Sequence, residues 1–226
     1  MIEDNFWKNK NIFITGVAGF VGSNLAKNLV KNGANIIGLT KNKKIDSLLF
    51  YEKIDKKINI IFGDITDKEL LKSIFLKYDI EICFHLAAQV EVGSAVKYPF
   101  LTWETNVRGT YTLLEVIREN KKKIKSIIVA STDKVYGEYP IKQLPYKEQY
   151  ELKAKFPYDT SKACADMIAK SYSTKLFKLP IVITRFANIY GPGQLNFTAL
   201  IPDAITSCLL NKKFIIRGDG QSIRDF

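Results

Sequence analysis

The segment Thr15-Gly-Val-Ala-Gly-Phe-Val-Gly22 constrains this chain more than any other stretch. It follows an apolar, β-branched run, Asn11–Thr15, and opens a helical pattern over Phe20–Lys31. Between a strand and a helix, such glycines imply a tight turn at Gly16, a backbone at Gly19 open to a pyrophosphate, and close helix-on-strand packing at Gly22. Phe20 and Val21 lie in the first turn of that helix, at the same phosphate end. The Gly-x-x-Gly-x-x-Gly spacing is one residue longer than the common dinucleotide fingerprint, so the strand–turn–helix context carries the weight.

The rest of the chain repeats this alternation. Strands are expected at Asn35–Leu39, Ile58–Phe62, Glu81–His85, Ser126–Ala130 and Ile181–Arg185. Helices are expected at Lys68–Lys77, Phe100–Glu119 and Pro157–Lys175. Several strands are apolar throughout, which suits burial on both faces. The reading is α/β: a Rossmann-like, doubly wound parallel sheet with ligands at the carboxyl ends of the strands. With 226 residues, 46% hydrophobic and 25% charged, the chain can bury a full core.

The net charge of +11 comes from 29 Lys and only 5 Arg. That balance argues against nucleic-acid readout, which leans on arginine forks, while still attracting an anionic cofactor or substrate. Three widely spaced cysteines, Cys83, Cys164 and Cys208, fit neither a disulfide framework nor a zinc site and point to a reducing, cytoplasmic compartment. The only histidine is His85, which excludes a histidine-pair metal site. No metal is expected. The start is acidic and not a signal peptide, and no apolar run approaches a membrane span.

Two further positions bear on a dinucleotide. The second strand ends Leu39-Thr40-Lys41, without the acidic residue that holds the ribose hydroxyls of NAD. Lys41, Lys43 and Lys44 stand where the extra phosphate of NADP could be met, so the choice stays open. After the third strand, Asp64 and Ile65 could face the adenine, or Asp64 could cap the helix beginning near Asp67. The sharpest chemical signal is Tyr158-Asp-Thr-Ser-Lys162, opened by Pro157. Residues four apart share a helix face, so a phenol and an ammonium can share one site, with the cation lowering the phenol pKa.

Together with Gly63-Asp-Ile-Thr-Asp67, His85-Leu-Ala-Ala-Gln89, Thr105-Asn-Val-Arg-Gly-Thr110 and Arg185-Phe-Ala-Asn-Ile-Tyr-Gly-Pro-Gly193, these motifs make the chain resemble an extended short-chain dehydrogenase/reductase of the NAD-dependent epimerase/dehydratase family. The resemblance runs from Asn11 to Phe226. It implies that Ala87 and Ala88 line a nicotinamide pocket and that Asn106 is a structural or cofactor-side polar residue. It places Gln89, Asn188 and Arg224 on the substrate side and makes His85 a strand-end residue. It also implies a homodimer through the helices at Phe100–Glu119 and Pro157–Lys175. The cofactor is NAD, with NADP left open.

The fifth strand ends Ser131-Thr132-Asp133-Lys134. In this family, epimerases carry small, non-titrating residues there, whereas sugar-nucleotide 4,6-dehydratases carry an acid and a base. The Asp-Lys version resembles the CDP-glucose type more than the dTDP-glucose type, which has Asp-Glu, or the GDP-mannose type, which has Ser-Glu. Inverting UDP-N-acetylglucosamine dehydratases share Asp-Lys. The resemblance thus gives Thr132, Asp133, Lys134, Tyr158 and Lys162 catalytic roles on a nucleotide hexose, with CDP-glucose first. A 4-epimerase and an inactive dinucleotide-binding remnant are the alternatives. Relatives continue past Arg-Asp-Phe226, so the expected organisation is a cofactor domain over 1–193 and an incomplete, truncated substrate lobe over 194–226.

Overall fold

The computed structural model describes residues 5–120, 123–216 and 219–220. Six strands form one sheet: β1 (Asn11–Thr15), β2 (Asn35–Thr40), β3 (Asn59–Phe62), β4 (Ile82–His85), β5 (Ser126–Thr132) and β6 (Ile181–Phe186). The order is β3-β2-β1-β4-β5-β6, and every neighbouring pair is parallel. The chain winds outward from β1 in one direction and then from β4 in the other. The topological switch point therefore lies between β1 and β4, the place where ligands bind in such sheets. Each expected strand is present, shifted by at most two residues at an end.

The helices are α1 (Phe20–Lys31), α2 (Leu48–Tyr51), α3 (Lys68–Lys77), α4 (Val92–Lys97), α5 (Pro99–Trp103), α6 (Gly109–Glu119), α7 (Pro157–Ser173) and α8 (Leu200–Leu209). Strand side chains alternate between two buried layers. Ile12 and Ile14 of β1 pack with Ala26 and Leu29 of α1, whereas Phe13, between them, packs with Leu71 of α3 and Leu113 of α6. Burying a side chain such as Leu113, which is fully inaccessible, contributes about 1.5–3 kcal/mol. Both faces of the central strands are thus covered, as the unbroken apolar runs require.

The helix expected over Phe100–Glu119 is divided. After α5, residues Glu104–Arg108 form a π-helical turn that leads into α6. Apolar periodicity cannot reveal one extra residue per turn, and such bulges gather at functional sites. This one carries Asn106. The helices not foreseen are α2 and α4, too short for a periodic signal, and α8, whose Pro202 lies in its first turn where proline is tolerated.

A polar seam runs through the apolar core at the switch point. Thr15 Oγ1 lies 2.9 Å from His85 Nδ1 and accepts the amides of Leu86 and Ala87, each at 3.1 Å. His85 Nε2 lies 2.9 Å from Thr110 Oγ1, and the Thr110 hydroxyl donates to the Asn106 carbonyl at 2.6 Å. The Thr110 proton is committed, so the network assigns the histidine proton to Nε2 and leaves Nδ1 to accept from Thr15. Asn106 then accepts the Gln89 amide at 2.7 Å, and donates to the Gln89 carbonyl at 3.0 Å and to Ser161 Oγ at 2.9 Å. Ser161 in turn donates to the Tyr158 carbonyl at 2.7 Å.

A second proton on His85 would face the hydroxyl hydrogen of Thr15. Burial, aided by repulsion from Lys162, pushes the imidazole down to about 3. The unfolded chain, with an ordinary value near 6.5, therefore binds more protons below that pH. His85 takes nothing from stability above about pH 6.5 and lowers it progressively as pH falls toward about 3, by at most about 1.4 kcal/mol per pH unit. Urea unfolding of the wild type and of His85→Gln across this window should show a shallower loss in the variant. Parallel curves would show that His85 binds protons equally in the folded and unfolded states.

Candidate active site

The phosphate end is built from close approaches. Gly16 has φ +70°, and a Cβ there would lie 2.9 Å from the Ala87 Cα. At Gly22 a Cβ would strike the Gly16 carbonyl and come within 2.9 Å of the Val17 Cα. The turn is stitched to the sheet by the Gly16 and Val17 amides, both donating to the Leu39 carbonyl. No side chain caps α1, and its first turn carries no acidic residue. The first-turn amides of Phe20, Val21 and Gly22 thus present an uncapped positive helix end. Beside Phe20, a Cβ on Gly191 would sit 3.6 Å from its ring. This cradle fits the pyrophosphate of a dinucleotide, because only backbone stands where side chains would block it.

At the adenosine end, Thr40 is buried and donates to the Asn42 carbonyl at 3.2 Å. Lys41 pairs with Asp64 at 2.8 Å. The other carboxylate oxygen of Asp64 accepts the Thr66 amide and hydroxyl, at 3.0 and 2.9 Å. Burial works to raise the Asp64 carboxyl, but the bonds from Lys41 and Thr66 outweigh it and hold it below the usual range. The helix-capping role belongs to Asp67, which accepts the Leu70 amide at 3.0 Å, and not to Asp64. Ile65 is buried in the core, where Gly109 leaves room for its side chain.

The reactive end lies across β4 and β5. Ala87 and Ala88 follow β4, half-buried, with the Ala87 backbone against Gly16. Thr132 ends β5, donates to Asp133 at 3.0 Å, accepts the Lys134 amide at 3.3 Å and stands close enough to Tyr158 to act on its phenol. Pro157 occupies the first turn of α7, so Tyr158 enters the site at the helix start. Lys162 is buried one turn on, and its ammonium donates to the Ala130 carbonyl at 2.6 Å. Burial, only partly offset by Asp166, brings Lys162 down to about 8.

One expectation about charge needs correction. The cation was expected to lower the Tyr158 phenol, but the phenol is pushed up to about 12. Burial raises it, and the nearby Asp159 and Asp133 carboxylates add to that, against a single lowering bond from Thr132. The Lys162 ammonium donates to the Ala130 carbonyl and not to the phenol. The Lys134 side chain is exposed, while Asp133 is half-buried.

On the substrate side, Gln89 Oε1 and Ser131 Oγ are buried without a partner among the described residues. Asn188, Tyr190 and Gln194 line a cleft of about 230 Å³ against α8, whereas Gln89 stands at the end of β4. Arg224 lies outside the described residues. Sequence reasoning missed Arg185 as a structural centre. Its guanidinium holds both Asp166 oxygens, at 2.8 and 3.0 Å, together with the Tyr136 hydroxyl and the Glu148 carbonyl, each at 2.8 Å. Among the described residues there are no clusters of His, Cys, Asp and Glu suited to a metal ion and no helix long and apolar enough to cross a membrane.

Comparison with known proteins places this geometry. The chain is similar to the dTDP-D-glucose 4,6-dehydratase of Dictyostelium discoideum, with 39% identity over 96% of this chain and 52% of the relative. It is similar to the CDP-glucose 4,6-dehydratase of Salmonella typhimurium, with 32% identity over 96% of this chain and 62% of the relative. The chain thus spans between half and two thirds of the length of these relatives. Among solved structures, dTDP-glucose 4,6-dehydratase from Bacillus anthracis in complex with NAD superposes with a TM-score of 0.82 at 33% identity, covering 96% of this chain and 66% of that one. UDP-glucose 4-epimerase from Thermotoga maritima with UDP-glucose superposes with a TM-score of 0.85 at 30% identity, covering 95% and 68%. The model of the family described as GDP-mannose 4,6 dehydratase matches residues 13–226, and the chain belongs to that family.

Proposed function

We propose that the protein is a nucleotide-sugar 4,6-dehydratase, a hydro-lyase that turns an NDP-glucose into the NDP-4-keto-6-deoxy sugar. The observation that carries this reading is the Asp133–Lys134 pair at the end of β5, next to the Thr132 that contacts Tyr158. Simple 4-epimerisation needs no acid and base at that point, whereas removal of water does. The dehydratase names of the relatives and the NAD in the Bacillus anthracis structure support the same reading.

A nicotinamide dinucleotide, when bound, supplies reversible hydride transfer to and from the sugar. Gly16, Gly19, Gly22 and the first-turn amides of Phe20 and Val21 would hold its phosphates. Thr40, Asp64 and Ile65 would flank the adenosine, and Ala87, Ala88 and Asn106 would border the nicotinamide. The Lys41–Asp64 ion pair supplies no free carboxylate to the ribose, so both NAD and NADP go into the binding assays.

Tyr158 Oη takes the proton of the C4 hydroxyl. It does so once the Lys162 ammonium turns from the Ala130 carbonyl toward the phenol, since burial otherwise holds that phenol protonated. Thr132 donates a hydrogen bond to the C4 oxygen. The 4-ketone acidifies the C5 proton, which Lys134 removes, while Asp133 protonates the departing C6 hydroxyl. Lys134 is exposed here, and the substrate itself would complete the burial that a lysine base needs. Gln89, Asn188 and Arg224 would hold the nucleotide sugar, in a lobe beginning near residue 194. CDP-glucose is the first candidate, on the Asp-Lys pair. Exposed Phe100, Leu101, Tyr111 and Met167 support pairing of two copies through α5, α6 and α7.

The test is mass spectrometry of the protein with NAD and CDP-, dTDP-, UDP- and GDP-hexoses. Loss of one water from one of them is the expected result; inversion at C4 without mass change would replace this reading with an epimerase. Tyr158→Phe should abolish oxidation at C4, by about 10²-fold or more. Unchanged turnover would refute its role. Asp133→Asn should leave oxidation intact and stall the elimination, so that reduced cofactor accumulates on the enzyme. Water loss at the wild-type rate would remove Asp133 from the mechanism.

A further inference from the structure

The turn that carries Asp133 and Lys134 is short. It is a 3₁₀ turn, Asp133–Tyr136, followed by a long connection to α7. Around it the Thr132 hydroxyl donates to Asp133 at 3.0 Å, the Lys134 amide to Thr132 Oγ1 at 3.3 Å and the Gly137 amide to the Lys134 carbonyl at 3.1 Å. Its last side chain, Tyr136, is buried. What fixes that side chain is Arg185 at the end of β6.

One planar guanidinium gathers three separate parts of the chain. Nε and Nη2 bind the two oxygens of Asp166, which is 1% exposed and lies two turns below Tyr158 on α7. Nη1 binds the Tyr136 hydroxyl and the Glu148 carbonyl of the connection. The cation also stands 4.9 Å from the centre of the Tyr136 ring, whose other neighbour is Tyr146, stacked at 4.8 Å. Tyr146 returns its hydroxyl to the Gly137 carbonyl at 2.9 Å, and Lys153 donates its amide to the Val135 carbonyl at 3.0 Å. A lysine could satisfy one of these partners but has no fork to reach four acceptors in one plane.

We propose that Arg185 is a positioning residue for the elimination half of the reaction: through Tyr136 and Asp166 it sets the Asp133–Lys134 turn in register with the Tyr158 helix. This rests on the dehydratase reading. Tyr158 is carried by α7 itself and needs no clamp to reach C4. Asp133 and Lys134 reach C6 and C5 only if the turn keeps its distance from α7, and a misplacement near 1 Å costs about 10²-fold in such a step.

The test compares the wild type, Tyr136→Phe, Arg185→Lys and Tyr150→Phe in two measurements. Tyr150 donates its hydroxyl to the Gln143 carbonyl within the same connection and lies outside the clamp, so it controls for general loosening. In amide hydrogen exchange, the Lys134, Gly137 and Lys153 amides should exchange about tenfold faster in Tyr136→Phe and Arg185→Lys, with the β1 and β2 amides unchanged. In turnover, kcat should fall about ten- to a hundredfold with KM within about threefold, and reduced cofactor should accumulate during the reaction. Tyr150→Phe should match the wild type in both. Unchanged exchange in Tyr136→Phe overturns the clamp; faster exchange with unchanged kcat, or an equal fall in oxidation and elimination, overturns its role in elimination. If Arg185→Lys does not fold, Tyr136→Phe decides, since it removes one oxygen and keeps the ring. A wild type that removes water from no hexose defeats the dehydratase reading itself, and the exchange comparison then decides the clamp alone.

Discussion

The buried chain of hydrogen bonds from Thr15 through His85, Thr110, Asn106 and Ser161 to the Tyr158 carbonyl holds the two halves of the site to each other. Its members come from the end of β1, the end of β4, the π-helical turn, α6 and α7, none of them adjacent in sequence. An apolar core would bury these elements together but would leave their relative heights along the sheet weakly specified. A polar seam is less tolerant, because a slip of one residue leaves a buried donor or acceptor unpaired at about 1–3 kcal/mol. Thr15 shows how fully the seam is used. Its single oxygen takes two amides and gives its own proton to His85. The backbone of Ala87 that it holds is the surface on which Gly16 lies.

Charge is distributed to the same end. Lys162 is the cation nearest the seam, and it acts on His85 as well as on the site. A neutral imidazole can be buried beside an ammonium, whereas two cations there could not both be charged. That requirement explains why the hydrogen bonds around His85 lock its neutral form. Tyr158 and Lys162 are displaced from their ordinary values in opposite directions by one cause, burial, the phenol upward and the ammonium downward. Both shifts favour the neutral forms, and both shrink when the ammonium and a phenolate face each other. In the proposed mechanism, turning Lys162 from Ala130 to Tyr158 is therefore a single movement that switches the pair from its resting form to its basic one.

The parts of this arrangement that sequence made legible are those set by sterics within one stretch of chain. The glycine turn, the six apolar strands, the bounds of α1 and α3 and the proline at the start of α7 all follow from local rules, and the structure agrees with them. The Tyr158 and Lys162 spacing is local too, and both side chains are buried one turn apart on α7. What the sequence hides is whatever depends on the third dimension. The π-helical turn at Asn106 is invisible because its neighbours continue an ordinary apolar pattern on both sides. The sign of the Tyr158 shift depends on where one ammonium points. Arg185 was readable only as part of a motif, since its carboxylate partner lies 19 residues earlier and its phenol partner 49 residues earlier.

The Arg185 clamp also accounts for the use of an ion pair where apolar packing would serve stability as well. A buried Asp–Arg pair gains little over well-packed apolar side chains, yet loss of one partner strands the other at about 3–5 kcal/mol. Its value lies in direction. The edge strand β6, where Val182 and Phe186 are exposed, is less covered than β1 and β2, which are buried almost throughout. The central strands carry the glycine cradle, and the less covered edge lies beside the turn to which the proposed mechanism gives the chemistry at C5 and C6. Apolar contacts at such an edge would hold Tyr136 in place without fixing its angle. Four directed bonds from one planar group fix both, and they tie the turn to α7, which is itself joined to the seam through Ser161.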